Sequence, residues 1–408
     1  MTASLLAVGP FRALLAAAAL ERFANSAMTV MLGFQVYALT HNPFDLGLLG
    51  LVEAIPGVSL VLYGGHFADR HSRRRILLVT TALLIVLALA FAAVSRSGQS
   101  LPLLFALAFL TGVVRAFDDP AAAGLEAQVV PQAQVMAGVA LMATTTRLAG
   151  VLGPVAGGFA WGTLGPGGAY LAIAALFTMS GAVLLLGIPE QSSGHTAPDG
   201  RNAGQRIVEG VRYVFRSQVL LGSMALDLFA VFVGGATALL PVFATDILQV
   251  GPIGFGLLRS ASAAGALVAA LLAGRWLPQQ RAGHALLAVI AGFGVSMVVF
   301  GLSRSLPLSL AALFAAGLCD GVSVVIRRAI LRLASPEAMR GRIAAVKSVF
   351  VGSSNELGAF ESGMLAGLVG APAAVWAGGL VTLGIVALTA WRAPLLRRLD
   401  LVRMARAT

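Results

Sequence analysis

Ionisable residues interrupt stretches of this chain that are otherwise apolar for the length of a membrane span, among them Glu21, Arg22, Glu53, Arg115, Asp118, Asp119, Arg147, Asp227, Asp320, Lys347, Glu356 and Glu361. A charged side chain in hydrocarbon costs a few kcal/mol even on lenient scales, so each needs a partner or a purpose. The chemistry open to such carboxyls is proton exchange, in competition with a substrate or an arginine. Glu53 has no acidic or basic neighbour in its own run, so it must take a cation from another segment or hold a proton; Asp227 stands in a similar setting. Glu21 with Arg22 reads either as a local ion pair or as part of a transport path. Arg115 could pair with Asp118 or Asp119, or, like Arg147, compete for Glu21 and Glu53. Glu356 and Glu361 lie among glycines and serines, where a structural role is favoured.

Little else in the chain could do chemistry. No phosphate-binding glycine loop is present, the five histidines (His41, His66, His71, His195, His284) are scattered, and Cys319 is the only cysteine. Neither metal, cofactor, disulfide framework nor enzyme activity is expected.

These residues have to be held by helices that cross a bilayer. The chain is 58% hydrophobic and only 11% charged over 408 residues, with a mean hydropathy of +0.90. A soluble protein of this size could not hide so much apolar surface. Runs of spanning length are Arg12–Leu39, Phe44–Leu62, Ile76–Val94, Leu101–Phe117, Met136–Trp161 and Gly168–Ile188, then Val219–Thr245, Pro252–Trp276, Gly283–Ser303, Leu306–Ile326, Ile343–Val369 and Ala371–Trp391. At roughly 20 residues per span, these make an all-α membrane protein of twelve helices in two sets of six. On this count Glu21 lies well inside the first helix and Arg115 near the end of the fourth. Leu14–Leu39 is too long for a signal-peptide core and carries Glu21 and Arg22, so it is read as a span.

The arginines orient the set. A dense polar knot, Gly64–Arg75, joins the second and third runs, with Asp69 at a helix end and Arg70, Arg73, Arg74 and Arg75 at the membrane surface. Placing both termini inside puts this knot, Arg12, Arg201–Arg216, Arg275, Arg281, Arg327–Arg342 and Arg392–Arg406 in the cytoplasm, and leaves Arg96 and Arg304 outside. That asymmetry follows the positive-inside rule, and it accounts for the formal net charge of +11 by topology and anionic lipid, without nucleic acid. The expected divisions are a first half over residues 1–188, a cytoplasmic linker with a short interfacial helix over 189–217, a second half over 218–391 and a basic tail over 392–408.

The halves resemble each other. A shift of about 205 residues lays Pro131 on Pro336, Ala140 on Ala345, Gly153 on Gly358, Gly158 on Gly363 and Gly162 on Gly367. Two six-helix halves around a midplane site make a transporter plan, in which the halves rock to expose the site to each side in turn. In the fifth run Gly150, Gly153, Gly157 and Gly158 fall on one helix face beside Pro154, a pattern that lets another helix approach closely.

Gly65-x-x-Ala68-Asp69-Arg70-x-x-Arg73-Arg74 resembles the loop between helices 2 and 3 of the major facilitator superfamily, with Phe67 and Ser72 departing from that family's usual leucine and glycine. The resemblance implies the major facilitator fold and makes Gly65, Asp69, Arg70, Arg73 and Arg74 a conformational latch, the aspartate pairing with basic groups at the ends of neighbouring helices. It sets Arg115 at the family's helix-4 arginine, a proton-relay element in relatives. The Gly153-Pro154-x-x-Gly157-Gly158 stretch resembles a signature that exporters of the family carry in helix 5. Thr40-His41 with Gly47-Leu48, and Ser335–Arg342 followed by Asn355–Gly363, look like the branch that includes the enterobactin exporter and macrolide efflux proteins.

The expectation is a secondary exporter of a hydrophobic or amphiphilic small molecule, a siderophore or a drug, working by proton antiport and alternating access in the bacterial cytoplasmic (inner) membrane. Its partners would be that substrate, protons and membrane lipid, and it would act as a monomer. The rival readings are a proton-coupled importer and a non-transporting membrane sensor or scaffold on the same fold.

Overall fold

The computed structural model describes residues 5, 7–98, 100–131, 134–190, 211–215, 217–234, 236–276, 280–335, 343 and 357–402. The described residues are helical or lie in short turns, as a chain that must satisfy its backbone polar groups without water requires. The helices are α1 (Gly9–Thr40), α2 (Pro43–Arg70), α3 (Arg73–Arg96) and α4 (Leu101–Val129), then Val135–Gly187, which is α5 up to Gly165 and α6 beyond it. Gly165, at φ 69°, makes the break between these two. Next come α7 (Gln218–Gly234), short 3-10, α-helical and π-helical turns over Ala236–Ile247, α8 (Gly251–Trp276), α9 (Ala282–Leu302), α10 (Leu306–Ala334), α11 (Leu357–Val369) and α12 (Ala371–Arg392). A short α13, Pro394–Arg397, follows. Seven of the described helices are long and apolar enough to cross a membrane, Val135–Gly187 being counted once.

Local sequence sets the ends. Proline stands in the first helical positions of α1, α4, α10 and α12, where its missing N–H costs nothing. α1 stops at His41, whose left-handed backbone (φ 48°) turns its N–H onto the Tyr37 carbonyl. The Asn42 side chain then accepts the Phe44 N–H at 3.1 Å and starts α2. α4 runs twelve residues past its expected end at Phe117, straight through Pro120. Arg115 is therefore in mid-helix rather than near an end, and Asp118, Asp119 and Glu126 are helical residues.

The chain divides into two compact units, Met1–His41 with Leu48–Ala197 and Gln249–Ser260, and Asn42–Gly47 with Pro198–Leu248 and Ala261–Thr408. In this division the starts of α2 and α8 each group with the unit that does not hold the rest of their helix.

In the first unit α5 lies against α1. A Cβ at Gly153 would sit 2.9 Å from the Phe23 carbonyl oxygen, and one at Gly157 2.9 Å from that of Ala27. The start of α8 meets the opposite edge of α5, where Gly158 faces the Pro252 carbonyl, Gly256 faces that of Pro154, and the Ser260 hydroxyl donates to the Val151 carbonyl at 2.6 Å. At the end away from the arginine knot, a buried polar staple ties α1, α3 and α6. The Tyr170 hydroxyl donates to Gln35 Oε1 at 2.9 Å, and the Gln35 amide donates to the Ser95 hydroxyl at 2.9 Å. At the arginine end, Phe11, Leu14, Leu77, Leu125 and Leu184 form the apolar core.

The second unit repeats these approaches. Gly317 of α10 faces the Ser262 carbonyl of α8 as Gly112 of α4 faces the Glu53 carbonyl of α2, and Gly363 of α11 faces Gly47 as Gly158 faces the start of α8. Gly112 and Gly317 differ by the same 205 residues as Gly158 and Gly363. The chain beyond α12 is more than a basic tail: Leu396, Leu399 and Leu401 are buried in the core of this unit, and the Gly283 N–H donates to the Leu399 carbonyl at 3.3 Å.

Candidate functional site

Two groups of charges lie inside the first unit, and the placement of both starts from α4. Gly112 lets α4 press against the Glu53 carbonyl and the Pro56 ring of α2. Arg115, one turn on, is thereby brought to Glu53, its Nη1 lying 3.9 Å from Glu53 Oε2. The other guanidinium nitrogen donates to Asn25 Oδ1 at 3.4 Å and to Thr29 Oγ1 at 3.3 Å, both on α1. Arg259 of α8 also acts electrostatically on Glu53. Glu53 thus has cations from two other helices within its field. Its ion pair is at the outer limit of such contacts, and its partner has neutral acceptors to fall back on.

The second group lies about a turn nearer the arginine end. Arg22 pairs with Asp119 at 3.1 Å. Asp118, only 3% exposed, accepts from the Thr80 hydroxyl of α3 at 2.6 Å and is hydrogen-bonded to Glu21. Of the alternatives left open by the sequence, Arg115 pairs with Glu53 and not with Asp118 or Asp119, while Arg22 takes its partner from α4 and not from its neighbour Glu21. The geometry of α4 explains this: Arg115 faces α1 and α2, whereas Asp118 is turned towards α3.

Beside this group is a cavity of about 280 Å³ between α1, α4 and α5, closed behind by α3 and α6. Leu77, Met142 and Leu184 are on its apolar wall, Glu21, Arg22, Asp119 and Glu126 on its polar wall. It opens because α1 and α5 are closest at Gly153 and Gly157 and part towards the arginine end. Gly150, one turn along, has nothing within 4 Å of where a Cβ would be. It shares the face of the other glycines but takes no part in their contact.

In the loop after α2, Asp69 is paired with Arg73 at 3.6 Å, within the loop itself. Arg73 donates to the Gly124 carbonyl of α4 at 2.9 Å, Arg74 to the Leu185 carbonyl of α6 at 2.7 Å, and Arg75 forms an ion pair with Glu190. Asp69 therefore reaches α4 only through Arg73. The close approach beside the loop is at Gly64, against the Ala116 carbonyl, while Gly65 has open space and Arg70 is exposed.

Arg147 is a described residue of α5 that has an interacting partner. Asp227 is helical, but its side chain lies outside the described residues, as do Lys347, Glu356 and the stretch Pro336–Arg342. Among the described residues no cluster of three or more His, Cys, Asp or Glu could hold a metal ion. Sequence reasoning passed over the Glu21–Asp118 pair, Thr80 and the Gln35–Ser95–Tyr170 staple. Each joins residues far apart in the chain, and the only local signal was the Asp118-Asp119-Pro120 run inside an apolar stretch.

The chain is 28% identical over 410 residues to the multidrug efflux pump Tap of Mycolicibacterium fortuitum, covering 94% of this chain and 96% of that one. It is 26% identical over 392 residues to the enterobactin exporter EntS of Shigella boydii, covering 94% and 92%. In structure it resembles a POT family transporter solved with 5-aminolevulinic acid, at a TM-score of 0.75 and 13% identity over 95% of this chain and 96% of the other. It also resembles a bacterial homologue of the human lysosomal transporter Spinster, inward-facing and unoccupied, at 0.69 and 15% over 97% and 96%; at such identities the likeness is one of fold. The model of the Major Facilitator Superfamily matches residues 14–279, and on that match this multi-pass membrane chain belongs to the Major Facilitator Superfamily.

Proposed function

We propose that the protein is a secondary exporter that expels a hydrophobic or amphiphilic small molecule, a drug or a siderophore, in exchange for protons by alternating access. The observation that carries this reading is the Glu53–Arg115 contact. An antiporter needs a carboxyl that alternates between proton and cation, and a cation that tolerates losing it. Glu53 meets Arg115 at 3.9 Å, and Arg115 keeps Asn25 and Thr29 as acceptors when Glu53 is neutral. The outward direction draws support from the glycine-proline face of α5 and from relatives named for efflux of drugs and export of enterobactin. The polypeptide would work as a monomer in lipid of the bacterial inner membrane, with both termini and the arginine knot in the cytoplasm, the side to which the positive-inside rule assigns them.

The test is efflux of a fluorescent amphiphile from energised proteoliposomes. Efflux that stops when the pH gradient is collapsed fits antiport; uptake that follows the proton inward means symport, and no flux of any substrate points to a sensor.

A further inference from the structure

The cavity between α1, α4 and α5 lies inside the first unit and has more carboxyls than cations on its wall. Glu21, Asp119 and Glu126 face one guanidinium, Arg22, which is already taken by Asp119 at 3.1 Å. Glu21 is hydrogen-bonded to Asp118. Glu126 has no ion pair among the described residues, and it lies two turns along α4 from Asp119, on the same face. The rest of the lining, from Leu77 through Met142 to Leu184, is apolar except for Thr146 and Ser180, whose hydroxyls donate to the Met142 and Ala17 carbonyls. Aliphatic walls with an uncompensated carboxylate at one side suit a flat or compact organic cation. The walls receive its hydrocarbon body, and the field of Glu126 and of the Glu21–Asp118 pair receives its charge. An anion of the same shape would lose its hydration and meet repulsion. At about 280 Å³ the space fits one or two rings and not a large chelate.

We propose that this cavity binds a lipophilic organic cation, and that the exported substrate is of that class. The inference rests on the exporter reading for its biological meaning but not for its test.

The probe is N-methyl-4-phenylpyridinium, set against biphenyl-4-carboxylate, which has a similar shape and the opposite charge. Equilibrium binding is measured on the purified full-length protein, and transport of both ions in proteoliposomes made from the same preparation. The cation should bind at least about tenfold more tightly than the anion. Glu126→Gln should weaken cation binding about tenfold. Arg22→Gln, which releases Asp119 from its ion pair, should tighten it, a gain that misfolding cannot imitate. Ala143→Phe keeps every charge but takes up space in the cavity, and should abolish binding. Equal binding of the two ions, or cation binding indifferent to Glu126→Gln and Arg22→Gln, overturns the proposal. If proton-driven export of a neutral or anionic compound accompanies that result, the exporter reading stands without the cavity. If the cation binds with the expected variant pattern but nothing is exported, the cavity stands and the exporter reading falls.

Discussion

Glu53 and Asp69 were both singled out by residue type and place, and both have arginine partners, but the partners differ in kind. Glu53 meets Arg115 across two helices at mid-depth, where side-chain identity is costly to change. Asp69 is 65% exposed and pairs with Arg73 four residues on, an arrangement worth under about 1 kcal/mol for stability. Asp69→Asn should therefore insert and unfold thermally like the wild type. Transport should nevertheless be nearly abolished, because the position of Arg73 against Gly124 depends on that pair and a two-state protein needs its states closely balanced. Wild-type flux in Asp69→Asn would remove the loop from the mechanism. The buried staple behaves in the opposite way. Tyr170→Phe leaves the Gln35 oxygen without its donor and should cost about 1 kcal/mol, read as a lower unfolding temperature in detergent. Tyr170 lies within the electrostatic field of Glu53, but the hydroxyl removed is neutral and is bonded to Gln35 rather than to Glu53, so coupling of the remaining folded protein should be intact.

Among the elements, α5 makes the sharpest claim. Gly153 and Gly157 are where its backbone meets that of α1, and a leucine at Gly153 would have to displace the Ser26 side chain and the Phe23 carbonyl. Overfilling of this kind costs about 1–3 kcal/mol. Gly153→Leu should lower thermal stability and abolish transport, whereas Gly150→Leu, with nothing within 4 Å, should do neither. Equal tolerance at both sites would mean that the glycine face does not hold α1. The contrast was not legible from spacing. Helical periodicity puts Gly150 on the same face as its neighbours, but whether two helices remain in contact for another turn depends on where they diverge. The same limit applied to α4, where counting apolar residues ended the helix at Phe117 and so left Arg115 near its end and Asp118 at its edge. Pro120 and two aspartates look like a terminus in a hydropathy profile; they remain helical because α1 and α3 supply Arg22, Glu21 and Thr80 as partners.

For the molecule as a whole, the all-helical plan, the order of the described helices and the internal duplication could be read from the chain, because the bilayer dictates span length and repeated glycines mark repeated close approaches. Less legible was which segments belong to which unit. The start of α2 packs on α11 through Gly47 and Gly363, and the start of α8 on α5 through Gly256 and Gly158, contacts with backbone far away in sequence. The tail was read as a basic appendage because its arginines outweigh Leu396, Leu399 and Leu401 in composition, although these leucines fill the second unit's core. The central claim is that Glu53 carries the proton. Its most direct test is to compare uphill, pH-driven export with downhill substrate exchange in proteoliposomes of wild type, Glu53→Gln and Asp227→Asn. Glu53→Gln should retain exchange and lose uphill export, while Asp227→Asn should keep at least part of it. Normal uphill export by Glu53→Gln, with Asp227→Asn uncoupled, would contradict the account and move the proton path to the second unit.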